Sequence, residues 1–225
     1  MTAISKIIKN RIIKDNGNYL CNDNISKYIE PTEMDQLVDE VAGKMQEVLE
    51  SLIIDTENDH NTKDTARRVS KMFCNEVFSG RYVSMPNVTA FPNVTKYDQV
   101  YVTGPITIRS TCAHHFQNIF GTCYIGVFPG TSVIGLSKFN RLIEWITSRP
   151  QIQEEMTQQI ADLLEKMTEA DGIAVLIEAE HGCMSMRGVK EHAPSMTTSV
   201  MRGKFRDTPH IKQEFFNIIS TKGLK

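Results

Sequence analysis

Ser110–Gly121 reads STCAHHFQNIFG, with Cys112 two positions ahead of the adjacent pair His114 and His115. In a C-x-x-H spacing Cys112 and His115 can reach one metal ion, and thiolate with neutral imidazole is the ligand chemistry that borderline-soft zinc prefers. Two protein ligands hold zinc poorly, so further donors must come from elsewhere in the chain. His181–Cys183, HGC, offers them. Residues two apart on a strand share a face, so a regular strand through IAVLIEAEHGCMSMR would present His181, Cys183, Ser185 and Arg187 together. Zinc on Cys112, His115 and Cys183 would keep its fourth position open to water, which marks a catalytic rather than a structural site. Hydroxide is then available at neutral pH. His114 and His181 are left over, each beside a proposed ligand. Imidazole titrates near neutrality, so these two are the natural proton shuttles. The plainer alternatives are a cysteine buried as a small hydrophobe and a hydrogen-bonded core histidine. Cys21, Cys74 and Cys123, with no histidine close in sequence, take that plainer reading.

A second group lies in GLSKFNR. Ser137 is placed to cap a helix whose free N–H groups would meet an anion. Lys138 and Arg141, three apart, share a helix face, and Arg187 would reinforce them toward phosphate. The alternative is a solvated basic helix start. TARRVSK adds Arg67, Arg68 and Lys71, again with a surface-charge alternative. In RPQIQEEMTQQI a carboxylate at 154 or 155 would suit the ring N–H and amine of a guanine, although spacing alone selects neither.

These residues need elements to hold them. Glu33 to Leu52 carries apolar residues at three- and four-residue steps, the stripe of an amphipathic helix. TARRVSKMFCNEVFSG predicts a second helix with Val69, Met72, Phe73 and Val77 inward and Gly80 as its stop. RYVSMPNVTAFPNVT, with two prolines, reads as a linker. Beyond it QVYVTGPITIRST, IFGTCYIGVFPG, GIAVLIEAEHGCMSMRGV and SMTTSVMRGKFR are β-branched or aromatic and predict strands. LSKFNRLIEWITSR, QIQEEMTQQIADLLEKMTEA and TPHIKQEFFNIIS predict helices. Two strands, two helices, two strands and a helix make an α+β domain with an antiparallel sheet. The organisation expected is an N-terminal arm at 1–32, a helical region at 33–96 and a catalytic domain at 97–225.

Composition sets outer limits. With 225 residues and 40% hydrophobic content the chain can bury a sizeable core, and a net charge of -2 argues against a nucleic-acid binder. No apolar run approaches the ~18 residues of a membrane span. Five widely spaced cysteines make a poor disulfide framework and suit reduced thiols in the cytoplasm. The basic start MTAISKIIKNRIIKDN reads better as a helix or arm than as a targeting peptide.

TCAHHF, VIGLSKFNRLIEW, RPQIQEEMTQQIA, HGCMSMRGV and TTSVMRGKFR, in order from about Thr65 to Phe215, resemble GTP cyclohydrolase I. The resemblance implies a tunnelling fold, antiparallel sheets with paired helices that close into a barrel on oligomerisation. It implies a homodecamer of two pentameric rings with active sites between subunits. The implied reaction converts GTP to 7,8-dihydroneopterin triphosphate and formate, a first step toward folate, other pterins or deazaguanines. By resemblance Cys112, His115 and Cys183 match the zinc ligands, and His114 and His181 the acid–base histidines. Glu154, with Gln153 beside it, matches the guanine anchor. Ser137, Lys138, Arg141 and Arg187 match the triphosphate contacts, while Arg68 and Lys71 match basic residues lent by a neighbouring subunit. Two positions depart from the family pattern. Ala113 stands where a glutamate is usual, and Ala66 replaces a proline that presets a first helical turn. The alternative reading is a non-catalytic, GTP-binding regulatory subunit; both histidines needed for proton transfer are retained, which speaks against it.

Overall fold

The computed structural model describes residues 3–191 and 195–221. The chain divides into two compact units, Met1–Ser84 and Met85–Lys225.

In the first unit, α1 (Ile4–Lys14) turns Ile4, Ile8 and Ile12 inward at steps of four. These meet Ile25 and Leu37, the latter on α2 (Glu33–Ser51). From Ile4 on, the expected arm is therefore packed. Helix α3 (Thr65–Lys71) runs into a π-helical turn, Met72–Val77, before the short α4 (Ser79–Tyr82). A π turn adds a residue to the repeat and rotates the face that follows. The buried positions Ala66, Ser70 and Cys74 recur at steps of four, and Met72, expected inward, lies off that line and is exposed.

The second unit is built on a five-stranded sheet in the order β5-β2-β3-β6-β7. Its strands are β2 (Tyr101–Cys112), β3 (Asn118–Phe128), β5 (Pro150–Gln151), β6 (Gly172–His181) and β7 (Met196–Gly203). All neighbours are antiparallel except the two-residue β5, which pairs parallel to the end of β2. A separate ribbon joins β1 (Ala90–Pro92) to β4 (Ser132–Ile134). The stretch expected to be a linker thus contains a strand, and the expected boundary at 96 falls inside this unit.

Helices α5 (Leu136–Thr147) and α6 (Gln153–Thr168) cover one face of the sheet. Phe139, Leu142, Ile143 and Ile146 from α5 and Met156, Ile160 and Leu164 from α6 pack there on Ile108, Ile125, Val175 and Ile177. The other face carries Tyr124, Ala174 and Leu176, covered by Phe205 of α8 (Lys204–Asp207) and Ile211, Phe215 and Ile219 of α9 (Pro209–Thr221). With both faces buried, β6 has no polar side to show, so its sequence GIAVLIEA is almost unbroken in hydrophobicity. At Gly121 a side chain would meet the Glu178 carbonyl oxygen at 2.1 Å, so glycine there lets β3 and β6 close. That closure brings the far end of β6 beside the turn that follows β2. Among the described residues no helix is long and apolar enough to cross a membrane.

Candidate active site

Cys112 is the last residue of β2 and is buried. Its N–H donates to the Gln117 carbonyl at 2.8 Å, and Phe116 N–H donates back to the Cys112 carbonyl at 2.9 Å. Phe116 takes a left-handed conformation with φ 51°. These two bonds close Ala113–Gln117 into a tight turn with His114 and His115 exposed on it, their rings edge to face at 6.4 Å. Ala113 N–H bonds the Gln151 carbonyl at 3.1 Å, so the turn is tied to β5 as well.

The second strand of the site ends sooner than alternation predicts. His181 closes β6 opposite Ile119, and the chain then coils into a helical turn, α7 (Gly182–Ser185). A side chain at Gly182 would come within 3.1 Å of the Asn118 carbonyl, so glycine allows the turn to seat against the start of β3. His181, Cys183, Ser185 and Arg187 therefore do not line one strand face, which corrects the expected alternation. Ser185 donates instead to the His181 carbonyl at 3.4 Å. Coiling nevertheless packs Cys183 against the buried cluster that contains Cys112, close enough for the two thiols to influence one another. Burial, then the neighbouring Cys112, push the Cys183 thiol above its ordinary value. Arg187 reaches over from beyond α7 to His115, 3.2 Å from Nη1 to Nε2. Guanidinium can only donate, so His115 Nε2 is the acceptor in that contact.

His181 is half-buried and its Nε2 lies 2.7 Å from Oε1 of Gln153. Burial lowers the pKa of its imidazole, and the Glu154 carboxylate opposes that shift. Gln153 and Glu154 open α6, the first fully buried and the second exposed. The site thus gathers Cys112, Cys183, His115, Arg187, His181, Gln153 and Glu154, with His114 on the same turn as His115.

The other expected residues belong to other elements. Ser137 is inside α5, whose cap position is Gly135 with no side-chain cap, so the capping role expected of Ser137 is corrected. The helix simply begins earlier than expected. Lys138 donates to the Asn87 carbonyl at 3.0 Å, and Arg141 is exposed one turn further along. Arg68 and Lys71 belong to α3 in the first unit, both exposed, where Arg68 donates to the Asn61 carbonyl at 3.2 Å.

The donor set of two thiols and an imidazole suits zinc. The two thiols influence one another, while the imidazole of His115 is turned toward Arg187. Among the described residues no three His, Cys, Asp or Glu side chains are gathered tightly enough to hold a metal ion.

Sequence reasoning passed over Thr157 and Thr198. Their hydroxyls lie 2.7 Å apart, and Gln153 Nε2 is 3.1 Å from that of Thr198. A signal was present: Gln153, Met156, Thr157, Ile160 and Leu164 fall on one helical stripe, so two polar residues stand at core positions.

Residues 41–220 match the family model for GTP cyclohydrolase I. The chain belongs to that family. The GTP cyclohydrolase 1 of Erwinia tasmaniensis is 38% identical over 180 residues, covering 80% of this chain and 81% of that protein. The GTP cyclohydrolase 1 of Salmonella choleraesuis is 36% identical over 192 residues, covering 83% and 86%. The GTP cyclohydrolase I match takes in the Cys112–His115 turn, both ends of β6 and the start of α6.

Proposed function

We propose that this chain is a GTP cyclohydrolase, which hydrolyses GTP and rearranges it to 7,8-dihydroneopterin triphosphate and formate. One observation carries the reading: within the family-matched span, Cys112 at the end of β2, Cys183 just beyond β6 and the hydrogen-bonded His181–Gln153 pair at the start of α6 fall at the same end of the sheet. Cys112, Cys183 and His115 would hold zinc; when bound, it supplies the Lewis acidity that makes hydroxide available at neutral pH.

Glu154 is exposed at the first turn of α6, free to accept two parallel hydrogen bonds from the guanine ring N–H and amine. It follows Gln153, whose side chain contacts His181, so a base held there would lie near that imidazole. Ser137, Lys138, Arg141 and Arg187 would take the triphosphate, joined by Arg68 and Lys71 of a neighbouring copy. Triphosphate binding holds the base in register without taking part in bond making. The purine carbon between the two imidazole-ring nitrogens leaves as formate after two hydrolytic C–N cleavages. The ribose then opens and rearranges, and the freed amine closes on it with loss of water. His181 and His114 carry the protons these steps exchange.

The outer strand β7 supports assembly, because a terminal strand leaves one hydrogen-bonding edge to pair with another chain. The reading includes a tunnelling-fold barrel built across copies, a decamer and a cytoplasmic location. The test is to incubate zinc-replete protein with GTP and follow formate together with the near-ultraviolet absorbance of the pterin. Equal yields are expected. GTP binding with neither product would overturn the enzymatic reading in favour of a non-catalytic GTP-binding subunit. Cys183→Ser is expected to lose stoichiometric zinc by metal analysis; full occupancy in that variant would remove Cys183 from the ligand set.

A further inference from the structure

Gln153 is the first residue of α6, yet its side chain is fully buried. Each of its polar atoms must therefore find a partner. Nε2 lies 2.9 Å from the Met196 carbonyl, 3.2 Å from the Ile177 carbonyl and 3.1 Å from Thr198 Oγ1. Backbone carbonyls only accept, so the amide nitrogen must face them; a flipped amide would set oxygen against oxygen. That choice directs Oε1 the other way, to 2.7 Å from His181 Nε2. An amide oxygen accepts and cannot donate. His181 Nε2 therefore carries a hydrogen, and in the neutral ring Nδ1 is the bare nitrogen.

The rest of the circuit agrees with that direction. Thr157 donates its hydroxyl hydrogen to the Gln153 main-chain carbonyl at 2.7 Å. The 2.7 Å contact between the Thr157 and Thr198 hydroxyls must then use the hydrogen of Thr198. The two Gln153 amide hydrogens are shared among Thr198 Oγ1 and the Ile177 and Met196 carbonyls. The backbone carbonyls of Ile177 and Met196 fix which way the Gln153 amide faces, and that of Gln153 accepts from Thr157. The circuit spans α6, β6 and β7.

We propose that Gln153 is a positioning residue that locks His181 in the Nε2–H tautomer, so that Nδ1 is the only ring nitrogen able to take up a proton. The inference rests on His181 being a proton-transfer group in the reading above, and it specifies the atom at which the proton moves. It also moves Gln153 from the substrate contact implied by resemblance to a support behind the histidine, because its amide hydrogens are spent inside the protein.

Magic-angle-spinning NMR of holoenzyme carrying ¹⁵N-histidine tests this directly, with His181 assigned by the signal lost in His181→Asn. At about pH 8, where imidazole is neutral, wild type is expected to show a protonated Nε2 and a bare Nδ1. The opposite tautomer would overturn the proposal whether or not any variant folds. Kinetics give the second arm. Gln153→Met is expected to lower kcat at least about tenfold while KM for GTP stays within about twofold. Thr198→Val removes an acceptor from the same circuit but leaves Oε1 on His181, so it is expected to lower the melting temperature and keep kcat within about twofold. Equal kcat losses in the two variants would make Gln153 a structural residue only. Wild type that has the expected tautomer yet releases no formate from GTP would sink the enzymatic reading and leave the assignment of the histidine tautomer standing.

Discussion

The two compact units hold themselves together by different means. In Met1–Ser84 the apolar cluster is small, and directed polar contacts supplement it. Arg11 grips Glu33 with two bonds, at 2.6 and 2.7 Å, and also donates to the Tyr28 carbonyl at 3.0 Å. Asn24 ties to the carbonyls of Gly80 and Val83, and the buried Ser70 hydroxyl bonds the Val38 carbonyl. In Met85–Lys225 a sheet is buried on both faces by helices, and most of the interior is aliphatic or aromatic. The buried Gln153–Thr157–Thr198 circuit there stands behind a site histidine. Apolar burial is non-directional and insensitive to pH, whereas ion pairs carry both directionality and a titration. The two units should therefore fail under different insults.

The largest expected effect lies in the second unit. Phe215 is fully buried, its ring edge-on to Phe205 at 5.7 Å and against Gly126, where a side chain would meet it at 2.5 Å. Phe215→Ala empties a site walled by strand backbone, which has little room to collapse inward. The expected cost is about 3–5 kcal/mol. Hydrogen exchange read by mass spectrometry should show faster exchange in β3, β6 and α9 and little change in peptides from α1 and α2. Equal acceleration in both units would mean that the apolar core of the second unit also supports the first.

Glu33→Gln should produce a smaller loss, confined to the first unit. Glu33 is buried and accepts from Arg11 and from the Glu30 N–H at 2.8 Å. The Arg11 hydrogen bonds hold its carboxyl below the ordinary range; burial opposes them, and the Glu30 N–H adds to the lowering. Because the folded pKa is depressed, this contribution is fully present above the unfolded value of about 4.3. It is lost as pH falls through the lower folded value. At neutral pH the variant should lose about 2 kcal/mol, with faster exchange in α1 and α2. Acidifying wild type from about pH 6 to about pH 3 should loosen the first unit, and the variant should show less of that dependence. A variant whose acid sensitivity matches wild type would place the titrating group elsewhere.

Elements governed by local pattern were legible in the sequence, and those governed by distant contacts were not. The stripes of α5 and α6 and the continuous apolar run of β6 predicted their elements directly, because each carries its period in its own residues. The three-residue strands β1 and β4 carry no period and exist only through each other. The π turn at Met72–Val77 was not legible either, because no composition rule marks where an extra residue enters a helix. At the candidate site, the spacing of Cys112, His115, His181 and Cys183 was visible in the sequence. Their spatial relation was not. Alternation carried past His181 fails at Gly182, whose closeness to Asn118 is a contact between strands and so invisible in HGCMSMR alone. Glu154 points out and Gln153 points in because of where the helix stripe falls, and the sequence pattern contained that information.

Asp162→Asn tests whether chemistry or burial sets the difference between the units. Arg202 on β7 binds two carboxylates of α6, Asp162 and Glu165, the latter at 2.8 Å. In composition this resembles the Arg11 pairing with Glu30 and Glu33. The surroundings differ: the Asp162 and Glu165 side chains are 60% and 46% exposed, against 8% for Glu33. Water and salt screen the exposed group, and Glu165 remains when Asp162 is neutralised. The expected loss is therefore below about 1 kcal/mol and should shrink further in molar salt. Urea midpoints of the two variants, taken side by side at low and high salt, decide the matter. If Asp162→Asn costs as much as Glu33→Gln, the guanidinium–carboxylate pair is strong wherever it sits, and the contrast between a polar-stapled unit and an apolar-cored one loses its physical basis. A small, salt-sensitive loss means that burial gives the Arg11–Glu33 pair its strength, so the polar contacts of the first unit stabilise it through the water that its helices exclude.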